Sequence, residues 1–309
     1  MLANGTIVEA TATNNSDLYW ALKGGGNSYC YVTRFDLRTI AAPKVYVGLR
    51  TYGADRKDQW LKSVIDFANY GDQDVKGSII PSVVFGPLFP ISYTTYAFYN
   101  GNNPTPDVMK NFSAPILPPQ INTWSYRSMA EYSIETRIIE APLTLHRQRF
   151  YGISFRADVD ALRVVHDMFM NAVQTQLNHV IDLIVTMDFN VITKNFIRAS
   201  NSNGGSPQGL DEAGGPYIWL NEILAYLNPA DQPRIDAFLI SANAQIRTEL
   251  ERRGVYTKQI YLNEIDKGQA VFEGYPAENV ERLKEIRANY DPNKVFTNLV
   301  PGGFKIESA

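Results

Sequence analysis

Hydrophobic and polar positions alternate in short runs through much of this 309-residue chain, and a few longer stretches change to helical spacing. In residues 57–70, Trp60, Val64, Ile65 and Phe67 recur at that spacing, which predicts an amphipathic helix. Asp160–Asn178 does the same with Leu162, Val165, Met168, Phe169, Val173 and Leu177, and a third helix is predicted over Gln232–Arg253. Strands are predicted at Lys44–Arg50, Tyr151–Arg156, 181–189, Tyr217–Leu227 and Gln259–Asn263. Two more, Ser78–Phe85 and Pro90–Phe98, are joined by the turn GPLFP. The first forty residues predict a strand, an Asn/Ser turn, a short helix Leu18–Leu22 capped by Asp17, a stop at Gly24–Gly26 and a strand Tyr31–Leu37. The loop SNSNGGSPQGLDEAGG (200–215) reads as a flexible lid or hairpin. Strands interleaved with hairpins and helices point to an α+β fold, an antiparallel sheet covered by helices on one face.

Composition narrows the functional classes. Hydrophobic residues make up 45% of the chain, enough for a large core in one or two domains. A net charge of −3 recommends neither nucleic acid nor an anionic membrane as partner. No apolar run approaches the roughly 18 residues of a membrane span, and the opening MLANGTIVEATA is not that of a signal peptide, which leaves localisation open. Cys30 is the single cysteine, so no internal disulfide forms. The histidines His146, His166 and His179 have no ligand spacing and no Gly-x-Ser-x-Gly elbow occurs, so neither a metal nor serine-hydrolase chemistry is expected.

Three stretches carry candidate chemistry. In Lys23-Gly24-Gly25-Gly26-Asn27, consecutive glycines allow positive φ angles and close approach of backbone to a phosphate or ring, although a plain structural turn gives the same pattern. Tyr261-x-Asn263, at strand spacing, puts a phenol and an amide on one face, where they orient a substrate hydroxyl or move a proton. The alternative is a tyrosine packed by its ring. In Tyr217–Glu222, the residues Tyr217, Trp219 and Asn221 share one strand face and Glu222 lies on the other, either as a base brought inward by a one-residue shift or as a solvated strand residue.

The segment DLYWALKGGGN (17–27) followed by Val32-Thr33-Arg34-Phe35 resembles FAD-linked oxidases of the vanillyl-alcohol-oxidase superfamily, of the fungal berberine-bridge-like type. So does the C-terminal order of Tyr261-x-Asn263, an amphipathic helix, an Asp-Pro loop and Phe296-x-Asn298. The resemblance implies a noncovalently held FAD beside Gly24, Gly25, Gly26, Asn27, Val32, Thr33, Asn263, Phe296 and Asn298. It implies catalytic roles for Tyr261, Asn221 and Glu222. It further implies hydride transfer from an alcohol, amine or activated carbon of a small, secondary-metabolite substrate to FAD, with molecular oxygen as acceptor. The expected organisation is the remainder of a PCMH-type FAD-binding domain at 1–42, a substrate domain at 43–257 and a C-terminal segment at 258–309 returning to the FAD domain. By the same resemblance, an N-terminal FAD-anchoring lobe is absent. Two alternatives follow: a non-catalytic remnant that binds a small molecule or associates through its exposed face, or a fragment complemented by a separate FAD lobe. Cys30 departs from the usual glycine, and its sulfur would crowd the cofactor.

Overall fold

The alternating runs assemble into a single antiparallel sheet in the computed structural model, which describes residues 1–140 and 144–308. In chain order the elements are α1 (Ser16–Leu22), β1 (Val45–Tyr52), α2 (Lys57–Tyr70), β2 (Gly77–Gly86), β3 (Phe89–Tyr99), β4 (Ile121–Asn122), β5 (Ser125–Arg127) and α3 (Met129–Glu140). There follow β6 (Arg147–Arg156), α4 (Val159–Gln176), β7 (Ile184–Ile192), α5 (Lys194–Ser200), β8 (Tyr217–Tyr226), α6 (Gln232–Arg252), β9 (Tyr256–Thr257), α7 (Ala277–Tyr290) and α8 (Val295–Asn298). The chain divides into two compact units. The sheet unit comprises Ala41–Asn195 and Gly214–Tyr256, and the second comprises Met1–Ile40, Phe196–Ala213 and Thr257–Ala309.

Among the described residues the sheet unit holds nine strands in the order β4-β1-β3-β2-β7-β8-β6-β9, with β5 also paired to β1. Helices α2, α4 and α6 cover one face, as the periodicity predicts, because period-2 strands present a continuous apolar surface to period-3.6 helices. On β7, Val185, Met187 and Phe189 are fully buried against that layer. Trp60 of α2 enters the same core and donates its Nε1 hydrogen to Thr95 Oγ1 at 2.9 Å, which removes the cost of burying an indole N–H. Helix α4 begins where the Asp158 carboxylate accepts from the Ala161 amide at 2.8 Å, a standard N-cap.

The second unit packs α1 and α7 around Leu18, Trp20, Tyr29, Phe272, Leu283 and Ile306. Here three sequence expectations fail. Residues 1–10 and 31–37 form no strand, and Phe35 and Leu37 are 74% and 80% exposed. A period-2 pattern becomes a strand only where a neighbour takes up its backbone groups, and among the described residues the two stretches meet only at Met1 and Tyr31, which exchange backbone hydrogen bonds at 2.8 and 2.9 Å. Residues 259–263 also leave the sheet: the Tyr261 carbonyl accepts from the Glu264 amide at 3.0 Å and winds the chain into a 3₁₀ turn at Leu262–Glu264. Asp17 does not cap α1. It lies inside the first turn and accepts from the Tyr290 hydroxyl at 2.8 Å, tying α1 to α7.

The glycine-rich loop is neither hairpin nor free lid. Asn203, Gly204, Gly205 and Gly209 all take left-handed φ angles, so the loop coils back on itself. Lys23 Nζ holds it through Asn203 O (2.9 Å) and Asn279 Nδ2 through Pro207 O (3.0 Å).

Candidate functional site

Helix α1 ends at Lys23, and the three glycines that follow have different tasks. A Cβ at Gly25 would stand 2.6 Å from both Ala21 O and Leu283 Cδ2, and one at Gly26 (φ +76°) would collide with the Phe304 carbonyl. The close approach these two residues permit is therefore filled by the protein's own atoms. Gly24 (φ +148°) is different: its nearest neighbours are Gln208 Cγ and the Tyr275 hydroxyl, both 3.5 Å from a notional Cβ, and it lies on the wall of a cavity.

That cavity, of ≈ 600 Å³, is lined by Lys23, Gly24, Gly26, Asn27, Tyr261 and Asn263, all within the second unit. Losing the expected strand does not separate Tyr261 from Asn263, because the 3₁₀ turn brings them together. Asn263 Nδ2 donates to the Tyr261 hydroxyl oxygen at 2.8 Å. The phenol's own hydrogen then serves as a donor in another direction. Across the cavity, Asn27 donates to Gly302 O (3.3 Å) while its Oδ1 is a buried acceptor without a partner. Burial holds the Lys23 ammonium below its ordinary pKa, and its Nζ sits 4.6 Å over the Tyr19 ring.

Other predicted site residues lie elsewhere. Val32 is half-buried and Thr33 exposed on the extended tract, outside the cavity wall. Phe296 is buried on α8 and Asn298 is exposed, and neither lines the cavity. What holds Phe296 is Asp291, fully buried, whose carboxylate accepts from the Val295 and Phe296 amides at 2.8 Å each. Asp291, Gln208 and Tyr275 were all missed from the sequence. Only Asp291 carried a signal, as an acidic residue four positions before a helix start.

Asn221 and Glu222 belong to the sheet unit, on opposite faces of β8. Glu222 is not solvated. It is completely buried on the helix-covered face, opposite Met187 and Tyr151 on the neighbouring strands, because β8 is central and α6 crosses over it. Its Oε2 accepts from Asn243 Nδ2 of α6 at 2.6 Å, and burial pushes its carboxyl up to about 8. Glu222 Oε1 and Asn243 Oδ1 are both buried and unpartnered. A neutral carboxylic acid removes the cost of a buried charge there while Oε2 still accepts from Nδ2. Asn221, 4% exposed on the other face, has an Oδ1 without a partner.

Residues 260–299 match the family model of berberine and berberine-like proteins. Over 99% of its length the chain is 30% identical to the FAD-dependent monooxygenase prx3 of Penicillium roqueforti, of which it covers 61%. The chain is similar to berberine-bridge-like FAD-dependent oxidoreductases. Its fold matches the wild-type berberine-bridge-like protein 1 of Physcomitrella patens (TM-score 0.69, 17% identity, 96% of this chain and 62% of that one). It also matches the xylooligosaccharide oxidase of Myceliophthora thermophila in complex with xylobiose (TM-score 0.64, 19% identity, 96% and 63%). The chain thus spans about three fifths of the length of the curated relatives it matches.

The turn fits a flavin dinucleotide in its chemistry: a left-handed glycine bare of side chain, a buried amide acceptor without a partner, and an ammonium stand around one cavity. Cys30 is half-buried, and burial raises its thiol above the ordinary value, so it is no thiolate. No group of metal-ligating side chains occurs among the described residues.

The sheet unit also buries a histidine. His166 of α4 bonds Asp167 Oδ1 through Nδ1 (2.7 Å) and the Tyr93 hydroxyl through Nε2 (3.0 Å), and Asp167 is paired with Lys57. With Asp167 ionised, Nδ1 carries the proton and Nε2 accepts from Tyr93. Burial lowers the His166 pKa, outweighing the opposing pull of Asp167. The unfolded chain therefore binds the extra proton first, and the stability this site contributes, complete above about pH 6.5, falls as pH drops below it. Urea midpoints measured from pH 7.5 to 5 are expected to decline, and His166→Asn to flatten that decline. An unchanged slope in the variant would remove His166 as its cause.

Proposed function

We propose that this chain serves an FAD-dependent oxidoreductase that takes a hydride from an alcohol, amine or activated carbon of a small secondary-metabolite substrate, with oxygen as acceptor. The observation that carries this reading is the convergence of Lys23, Gly24, Gly26 and Asn27 with the Tyr261–Asn263 pair on one cavity. A relative from Fusarium proliferatum, FUP4, is likewise an FAD-dependent monooxygenase, 30% identical over 99% of this chain.

In this reading Gly24, Gly26, Asn27 and Lys23 hold the cofactor noncovalently. The neutral Cys30 thiol offers no linkage, and His146, His166 and His179 all belong to the sheet unit. Bound FAD supplies the hydride acceptor. Tyr261 orients the substrate group and exchanges its proton at Oη, while the Asn263 amide fixes the direction of that phenol. Asn221 belongs to the sheet unit, where its Oδ1 is a buried acceptor without a partner. Glu222 stays outside the chemistry, as a proton-holding core residue.

The test is a visible absorption spectrum of the chain after FAD is added and unbound FAD removed. The expected result is a flavin spectrum that moves to the supernatant on acid precipitation. Failure to retain flavin from excess FAD would sink the reading. The second reading, a binding scaffold that associates with itself, draws on exposed Phe35, Leu37 and Ile40. It predicts a colourless chain that sediments as more than a monomer.

A further inference from the structure

The cavity's glycine turn is braced from behind by atoms that take no part in the chemistry above. Tyr275, 6% exposed, donates its hydroxyl hydrogen to the Gly24 carbonyl at 2.8 Å. The Gln208 side chain, from the 196–213 segment, stands beside the same hydroxyl: its Cγ and the Tyr275 oxygen are each 3.5 Å from a notional Gly24 Cβ, and it also lies on the cavity wall. The Tyr275 ring is held edge-on by Phe272, with centroids 5.5 Å apart, so the hydroxyl has a fixed position.

Gln208 is itself pinned. Gly209 takes φ +57°, and a Cβ there would stand 2.6 Å from Pro276 Cγ, so the loop lies flat on the residue next to Tyr275. Asn279 Nδ2 donates to Pro207 O at 3.0 Å and Gln259 Nε2 to Gln208 O at 3.3 Å, holding the loop backbone on both sides of that contact. Gly24 needs such a brace. Its φ of +148° is one of several open to glycine, and no side chain of its own locks it.

We infer that Gln208 and Tyr275 are positioning residues for the cofactor turn: the 203–209 loop acts as a strut that sets the Gly24 carbonyl, and with it the cavity wall, through the Gln208–Tyr275–Gly24 relay. The inference rests on the flavin reading for its consequence and on this geometry for its cause. It also accounts for the loop's composition, since Gly209 permits the docking on Pro276 and Gln208 supplies both a contact beside Tyr275 and Gly24 and cavity surface. The loop is thereby a part of the cofactor site whose displacement would loosen the turn without touching any reacting atom.

The experiment uses the full chain and the variants Tyr275→Phe, Gln208→Ala, their double, and Gly209→Ala, with FAD titrated by quenching of flavin fluorescence. Each single change is expected to raise the FAD Kd about fivefold to tenfold. The Tyr275→Phe, Gln208→Ala double should be no weaker than the weaker single, because a relay is broken once. Amide hydrogen exchange in the FAD-free proteins supplies the second readout: it should quicken at residues 24–27 and stay unchanged in α4 and α6. Gly209→Ala keeps the test open if Tyr275→Phe unfolds the second unit. Tight FAD binding by the singles, or fully additive losses, would overturn the relay. Absence of FAD binding by the unsubstituted chain would overturn the flavin reading and the relay's role in it. In that case unchanged exchange at 24–27 would overturn the brace as well, and quickened exchange would support it.

Discussion

Replacing Tyr261 by Phe is expected to slow flavin bleaching by about 10²–10⁴-fold, the range for loss of a positioned proton-transfer group, with FAD bound as tightly as before. The substitution removes one oxygen and its hydrogen. The ring, the 3₁₀ turn set by the Tyr261 carbonyl and the glycine turn across the cavity all remain. What is lost is the phenol that Asn263 Nδ2 orients at 2.8 Å. Binding and chemistry therefore separate: FAD titration reads the first, and anaerobic bleaching by any alcohol or amine that reduces the unsubstituted enzyme reads the second. Bleaching at the original rate would remove Tyr261 from the mechanism. Asn263→Ala should give a smaller loss, since it leaves the phenol in place but undirected.

Glu222→Gln is expected to stabilise the protein at pH 8 while leaving it nearly unchanged at pH 5. In the folded chain the buried carboxyl keeps its proton up to about pH 8, whereas an unfolded one ionises near 4.5. Between these values unfolding releases a proton. The stability this group contributes is present in full below about 4.5 and is lost as pH rises toward 8, by up to about 5 kcal/mol at roughly 1.36 kcal/mol per unit. A glutamine amide keeps an acceptor for Asn243 Nδ2 without a proton to lose. Urea unfolding of both proteins at pH 5, 7 and 8.5 checks this. A stability gap that does not grow with pH would show that Glu222 is already ionised in the fold. Glu222→Leu separates the two contributions further, because it removes the carboxyl partner of Asn243 Nδ2 at every pH and leaves it only the Leu239 carbonyl.

The sheet unit was legible in outline because its signals are local. Trp60, Val64 and Phe67 mark α2, and Val185, Met187 and Phe189 mark the buried face of β7, each through periodicity alone. The second unit was legible in its motifs but not in its elements. Its extended tract at 31–37 carries a strand pattern with no partner to pair with, and Tyr261 and Asn263 meet through a 3₁₀ turn that the same strand pattern conceals. Resemblance located the glycine turn, yet could not say that the Cβ sides of Gly25 and Gly26 are filled by Leu283 and Phe304, while Gly24 is open on the cavity that Gly26 also lines.

The sequence by itself determined the α+β class, the faces of the long helices, most strands and the resemblance to FAD-linked oxidases, because periodicity and motif spacing are properties of neighbours along the chain. Tertiary structure alone decided that Glu222 is buried beneath α6, that Asp291 caps α8 from within, and that Gln208 reaches Tyr275 and thus Gly24. Each of these depends on atoms brought together from distant or non-periodic positions. Their energies come from desolvation and hydrogen-bond geometry, which no local pattern records.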